Sequence, residues 1–401
     1  MVERIKGTRD FIGAEAALRQ QLLNKIRSSY SLFGFEPVET PSLEYLQLFT
    51  EKSGPEIENQ LYSFEDKKGE KLALRPEQTV SKMRVITNNK SLIKPIKTYS
   101  IGTVWRYEDV AKGRLREFIQ ADVDIYGGKS VFYDAEIIAC VDFTLKSIGI
   151  KDYKIHLNNR KILQDMLDSF GIEFEAGLQV LREMDKLDKV GIESVEKSIA
   201  DIIGKEKSRK ITDFITGKLD VKSEVGGKEL NDLVQYLEQY GIKNYVIDRK
   251  LVRGLAYYDG NIFEFIADSG SYKGTIAAGG RYDMLSKQFN SDLPATGCTI
   301  GFERIFEIFK STFKDEFSEK SCVISIDNDK EAIKIAMSLR SKGKTVDLLL
   351  SDLSLSKALT YCNSKKIRYA VLIGNKDLKE GLVTVRDLKE KKDTKLKLSD
   401  L

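Results

Sequence analysis

The sequence predicts an α+β protein, an antiparallel sheet packed with helices and followed by a smaller α/β unit. Three observations carry this expectation. Arg106 to Tyr126 alternates polar and apolar residues around a glycine-containing loop; Leu18, Leu22, Ile26, Tyr30 and Phe33 fall at helical spacing ahead of Gly34; and the pattern after residue 320 switches to alternating strand and helix.

The first observation is the most specific. With the two-residue period of a strand, Arg116, Phe118, Gln120, Asp122 and Asp124 face one way, while Ile119, Ala121, Val123 and Ile125 face the other. Arg106 and Glu108 share a parity on the preceding strand, and a loop with Lys112, Gly113 and Arg114 joins the two. Guanidinium groups suit phosphate oxygens, an aromatic ring suits a stacked base, and carboxylates suit a cationic or N–H-bearing ligand. The same alternation also describes an ordinary solvated face, so other segments must decide.

Along the chain, a long amphipathic helix leads to Gly34. Lys71 to Leu74 reads as a strand, and Pro76 disfavours helix at Arg75, after which Thr79 to Asn88 can run as a helix. Tyr133 to Ile148 reads as a helix and Tyr153 to Leu157 as a strand. Residues 172–225 are helical in pattern, highly charged and resemble an insertion. Strand signals return at Tyr245–Ile247, Ile262–Ala267 and Thr275–Ala278, giving a sheet with helices on one side. The last unit reads as strand Cys322–Ile326, helix Ala332–Leu339, strand Thr345–Leu350, helix Leu355–Cys362 and strand Tyr369–Ile373. The expected domains are thus residues 1–171 with 226–318, residues 172–225, and residues 321–401.

Bulk properties exclude several classes. At 401 residues and 41% hydrophobic, the chain can bury two or three cores. The start MVERIKGTRD has no apolar core of a signal peptide and no run reaches the length of a membrane span, so a cytoplasmic protein without membrane association is expected. Cys140, Cys298, Cys322 and Cys362 are scattered, without a Cys-x-x-Cys pair, and read as buried thiols. The single histidine, His156, removes Ser/His/Asp and Cys/His nucleophilic machinery and mixed Cys/His zinc sites; it reads as a structural strand residue. A formal charge of +4 does not mark nucleic-acid binding by itself. The lysines at Lys342–Lys344 and Lys389–Lys397 fit a solvated surface and a nucleic-acid backbone contact equally.

The hairpin resembles motif 2 of class II aminoacyl-tRNA synthetases. GFEPVETPSLEY at Gly34–Tyr45 resembles motif 1, and GCTIGFER at Gly297–Arg304 resembles motif 3. LVRGLAYYDG at Leu251–Gly260, AAGGRYDML at Ala277–Leu285, LRPEQT at Leu74–Thr79 and KGTRDF at Lys6–Phe11 resemble signatures of histidyl-tRNA synthetases. The resemblance implies a class II antiparallel catalytic core, a helical insertion and a C-terminal anticodon-binding domain. It further implies formation of histidyl-adenylate from ATP and L-histidine, Mg2+ arriving with ATP, transfer of histidine to the terminal ribose of tRNA(His), and a homodimer whose interface includes the long helix and the segment at Pro41.

The resemblance also implies roles. Arg106 and Arg253 would be catalytic, holding the reacting phosphate and histidine carboxylate from two sides. Glu108, Arg114, Phe118 and Arg304, with Arg106, would bind ATP. Glu77, Gln78, Thr79 and Gln120 would hold the amino and carboxylate end of histidine, and Asp124, Tyr257 and Tyr258 would surround its imidazole. The chain departs from the pattern in four ways: Asp124 stands where many relatives have Glu, Ala256 where many have Asp, the motif 2 loop reads DVAKGR, and relatives often carry a further helix beyond the position of Leu401. The rival readings are the synthetase-like regulatory subunit of ATP phosphoribosyltransferase, which does not aminoacylate, and a tRNA-sensing regulatory domain. Arg253, Tyr257, Tyr258 and the α/β C-terminal domain argue against the first; Arg106 and Arg253, with no kinase-like segment beside them, argue against the second.

Overall fold

The computed structural model describes residues 2–52, 59–111, 113–252, 257–269, 271–312 and 318–400. Backbone contacts divide the chain into two compact units, residues 1–312 and 313–401. Among the described residues, no helix is long and apolar enough to cross a membrane.

In the first unit the strands are β1 (Glu36–Pro37), β2 (Leu43–Tyr45), β3 (Tyr62–Glu65), β4 (Lys71–Leu74), β5 (Ile96–Trp105), β6 (Glu117–Tyr126), β7 (Tyr153–Asn159), β8 (Tyr245–Ile247), β9 (Asn261–Asp268), β10 (Lys273–Arg281) and β11 (Ala295–Gly301). Eight of them form one sheet in the order β1-β5-β6-β11-β10-β9-β7-β8, and β2-β4-β3 form a small antiparallel sheet. The pairings at the two edges of the large sheet, β1 with β5 and β7 with β8, are parallel; those between are antiparallel.

The alternation in β6 sorts its side chains as expected. Ile119, Ala121, Val123 and Ile125 join the apolar core on the back of the sheet, packed with residues of the helices Gly13–Leu32, Phe132–Ser147, Glu224–Gln239 and Phe302–Thr312. The first of these helices buries Leu18, Leu22, Leu23, Ile26 and Tyr30, and the Tyr30 hydroxyl donates to the Ala121 carbonyl at 3.0 Å. It ends before Gly34, which takes a φ of 75° that suits glycine.

Helices are not confined to the back, which corrects the one-sided arrangement expected from sequence. The helix Thr79–Asn88 lies on the front of β6, where its Lys82 meets Asp122 and Asp124. A second core includes Val80, Met83 and Ile86 of this helix, Tyr126, Tyr257, Tyr258 and Tyr282, and residues of the helices Arg160–Ser169, Phe174–Met184, Ile192–Ile203 and Lys205–Ile215.

The second unit has the strands β12 (Ser318–Ser325), β13 (Val346–Leu349), β14 (Ile367–Ile373), β15 (Leu382–Asp387) and β16 (Lys392–Lys397) in the order β13-β12-β14-β15-β16. The first three are parallel, connected through the helices Asp329–Ser341 and Leu355–Ser364; β15 and β16 add an antiparallel hairpin. Lys392–Lys397, which as sequence looks like part of a lysine-rich tail, is therefore an edge strand. Charged residues on an edge are a common way of blocking further pairing.

Candidate functional site

A cavity of about 530 Å³ opens on the front of the large sheet. Its lining contains Glu77, Thr79, Arg106, Glu108, Arg114, Phe118, Gln120, Asp124, Tyr257, Tyr258 and Arg304, so most residues singled out from sequence come together. Arg253 and Ala256 lie outside the described residues, as does Lys112 of the motif 2 loop; Val252 and Tyr257, on either side of the first two, both line the cavity. Gln78 is the exception. It does not line the cavity but donates from Nε2 to the Gln120 carbonyl at 3.1 Å, and so supports the strand that does.

One end of the cavity is built from the β5–β6 hairpin and the last helix of the unit. Arg106 donates from Nε to the Pro76 carbonyl at 2.8 Å, its guanidinium carbon lies 5.5 Å from the Phe118 ring centre, and Nη1 is 4.0 Å from Glu108 Oε1. Arg304, in the first turn of the helix Phe302–Thr312, is held by donation from Nη1 to the Thr275 carbonyl at 2.6 Å. Each arginine keeps further N–H groups beyond these bonds, since a guanidinium has five. Arg116 shares the parity of Phe118 but leaves the site: its guanidinium stacks 4.0 Å from the Tyr107 ring centre and its Nε donates to the Glu108 carbonyl.

The other end rests on β6. Across the ladder, Gln120 pairs with Gly102 and Gly301, Asp122 with Ser100 and Thr299, and Asp124 with Thr98 and Gly297. Small neighbours on both sides leave the longer side chains of β6 unobstructed. At Gly297 this is a strict requirement, because a Cβ there would stand 2.1 Å from Asp124 Oδ1. Gln120 lines the cavity and is 9% exposed, and its buried Oε1 has no partner among the described residues, although buried acceptors are usually paired.

Glu77 stands at the start of the helix Thr79–Asn88 and accepts from the backbone N–H groups of Thr79 and Val80. Burial raises its carboxyl above the usual carboxylate range, opposed by these N–H bonds. Tyr257, Tyr258 and Tyr282 form an aromatic cluster; the Tyr257 and Tyr258 ring centres lie 5.8 and 6.3 Å from that of Tyr282. The Tyr282 hydroxyl donates to Asp124 Oδ1 at 2.5 Å, and burial beside Asp124 holds its pKa well above the ordinary tyrosine value, which keeps the donor proton in place.

Sequence reasoning missed three contributors. Lys82 is wholly buried and bonded to both Asp122 and Asp124; two carboxylates on one strand face already called for a cation. Tyr282 could be read only as part of a motif. Met184, Asp185, Leu187, Asp188 and Lys189 bring the helical segment to the cavity wall, and Lys250 is tied to Asp188 at 2.6 Å. No local pattern signals that contact. His156 bonds from Nδ1 to Asp248 Oδ2 at 2.7 Å within the framework, as a structural residue would, and the four cysteines are buried thiols outside any disulfide.

Known proteins resemble this chain along nearly its whole length. Residues 7–305 match the family model "Histidyl-tRNA synthetase" and residues 320–401 match "Anticodon binding domain". The histidine–tRNA ligase of Pyrococcus furiosus is 35% identical over 424 residues, covering 100% of this chain and 98% of its own. Among solved structures, a histidyl-tRNA synthetase from Nostoc sp. PCC 7120 superposes with a TM-score of 0.83 at 26% identity, covering 98% of this chain and 96% of its own. A Bacillus halodurans protein described as an ATP phosphoribosyltransferase regulatory subunit/histidyl-tRNA synthetase shares the fold, with a TM-score of 0.76 at 22% identity and 90% and 96% coverage. With the motifs gathered around one cavity and the family model spanning most of the length, the chain belongs to the histidyl-tRNA synthetase family.

Proposed function

We propose that the protein is a histidine–tRNA ligase. It joins L-histidine and ATP to give histidyl-adenylate and pyrophosphate, then transfers the histidyl group to the 3′-terminal ribose of tRNA(His). The observation that carries this reading is a single cavity with Arg106, Arg114, Phe118 and Arg304 toward one end, and Gln120, Asp124, Tyr257 and Tyr258 toward the other.

In the first step an anionic carboxylate oxygen of histidine attacks the α-phosphorus, and the bond to the leaving pyrophosphate breaks. The attacking group is already ionised near neutral pH, so no protein base is required. What lowers the barrier is stabilisation of charge building on the phosphate oxygens. Arg106 supplies it from the hairpin, with Arg253 assigned to the opposite side on the strength of its motif. Phe118 stacks on adenine beside Glu108, while Arg114 and Arg304 take the terminal phosphates. Among the described residues no three His, Cys, Asp or Glu are placed to hold a metal ion; magnesium enters as part of the MgATP substrate, whose hydrated shell asks for few protein oxygens.

Gln120 and Thr79, with Glu77, hold the amino end of histidine, and Asp124 accepts an imidazole N–H between the tyrosines. Residues 172–225 act as an insertion in the core, and residues 321–401 read the anticodon. A cytoplasmic homodimer completes the reading. Pyrophosphate exchange into ATP, measured with each amino acid in turn, tests it: exchange dependent on histidine alone is expected, and exchange with another amino acid but not histidine would reject it. The same assay separates this reading from a non-aminoacylating regulatory subunit, which gives no exchange.

A further inference from the structure

Two carboxylates on the front of β6 share one ammonium. Asp122 and Asp124 are 1% and 2% exposed, and Lys82 is completely enclosed. Lys82 Nζ lies 3.1 Å from Asp122 Oδ2 and also donates to Asp124 Oδ2. Among the described residues no other cation pairs with either carboxylate. A buried lysine with no such partners would shed its proton, since burial disfavours its charge; here the two aspartates outweigh burial and raise its pKa above the ordinary value.

Asp124 is thereby held at both oxygens, Oδ1 by the Tyr282 hydroxyl and Oδ2 by Lys82. That fixes the carboxylate plane while leaving acceptor capacity for a ligand in the cavity it lines. The remaining titratable or charged groups acting on the cluster are Glu77 and Arg75 before the helix Thr79–Asn88, Tyr126 on β6, Tyr282 after β10 and Tyr30 of the long N-terminal helix. Even with Lys82 in contact, burial and the neighbouring Asp122 push the Asp124 carboxyl above the usual range. Removing the ammonium leaves two adjacent buried carboxylates, which cannot both remain ionised at moderate pH.

We infer that Lys82 is a positioning residue for amino-acid selection: its buried ammonium, clamped between Asp122 and Asp124, keeps Asp124 an oriented anionic acceptor for the imidazole N–H. The inference rests on the reading of Asp124 as the imidazole-binding residue. Lys82 does not line the cavity; it acts through the carboxylate it holds.

The test compares wild type, Lys82→Met and the double variant Lys82→Met/Asp122→Asn in histidine-dependent pyrophosphate exchange from pH 6 to 9. The double variant removes one positive and one negative charge together, so the cluster keeps its net charge. Lys82→Met is expected to raise KM for histidine about tenfold or more at pH 7, with KM for ATP changed less than about twofold, and with part of the loss recovered as pH rises and Asp124 ionises. The double variant is expected to fold and to recover most of the histidine KM and the wild-type pH profile.

Equal losses for both substrates, a double variant no better than Lys82→Met, or a double variant that does not fold would each overturn the inference. Urea denaturation of the ligand-free proteins gives a reading that does not depend on the substrate. Lys82→Met carries a raised carboxylate pKa, so its stability relative to wild type is expected to fall as pH rises through that pKa, and Asp122→Asn to remove the slope. A wild type inactive with histidine would reject the functional reading, while absence of this slope would reject the role of Lys82.

Discussion

Arg19 and Glu303 form a buried two-point ion pair, Nη1 to Oε2 at 2.6 Å and Nη2 to Oε1 at 2.8 Å, although 284 residues separate them. The Arg19 guanidinium carbon also lies 3.7 Å from the Phe11 ring centre and 4.7 Å from that of Phe302. The pair ties the N-terminal helix to the residue before Arg304, and Glu303 itself reaches the cavity wall. Arg19→Met leaves a buried carboxylate without its cation and is expected to cost about 3–5 kcal/mol of stability. Urea denaturation checks this; a loss below about 1 kcal/mol would mean that the pair is solvated or replaceable.

Removing the Tyr282 hydroxyl isolates one half of the hold on Asp124. Tyr282→Phe keeps the ring packing and is expected to raise KM for histidine about tenfold, the scale of a hydrogen bond to a charged group. KM for ATP is expected to stay near wild type. A change confined to ATP would place Asp124 at the wrong end of the cavity.

The two arginines at the phosphate end are expected to fail differently. Arg106→Ala is expected to lower kcat about 10²-fold or more, because its charge matters most as the phosphate charge develops. Arg304→Ala is expected to act mainly on KM for ATP, through lost hold on the terminal phosphates. Steady-state exchange kinetics resolve the two; equal effects on kcat would merge their roles.

Asp259 predicts a pH effect. Burial and the neighbouring Asp283 raise its pKa to about 6 from an ordinary 3.8, against the N–H bonds from Asp283 and Met284 at 3.1 and 2.6 Å. The folded protein therefore binds this proton more tightly than the unfolded chain. The resulting stability is fully present below pH 3.8 and is lost as pH rises through about 6. The loss is on the order of 3 kcal/mol at most for a shift of this size. Asp259→Asn is expected to flatten that part of the stability curve; an unchanged slope from pH 4 to 6.5 would assign it to other groups.

The unit boundary near residue 312 lets the proposed tRNA-binding role of residues 313–401 be tested apart from adenylate formation. A protein ending at Thr312, shown to be folded and in the same oligomeric state as the full chain, is expected to retain histidine-dependent pyrophosphate exchange and to lose most tRNA charging. Full charging by the shortened protein would remove residues 313–401 from tRNA binding.

The sequence by itself determined what repeats along the chain. The period of two in Glu117–Tyr126 separates the buried back of β6 from its polar front, and helix Thr79–Asn88 and strands Lys71–Leu74 and Tyr245–Ile247 begin and end where proline, turn residues and apolar runs place them. The candidate site residues were legible because they cluster in short motifs on those elements, and the fold brings most of them to one cavity. What tertiary structure decided are partners without a sequence signal. Arg19 finds Glu303, Lys82 is enclosed by two aspartates 40 and 42 residues away, and Met184, Asp185, Leu187, Asp188 and Lys189 of a charged helical stretch reach the cavity wall. Gln78, inside a motif, turns away to brace β6. The physical reason is that the energy of a buried charge depends on what surrounds it in space, whereas periodicity records only which face of its own element a residue occupies.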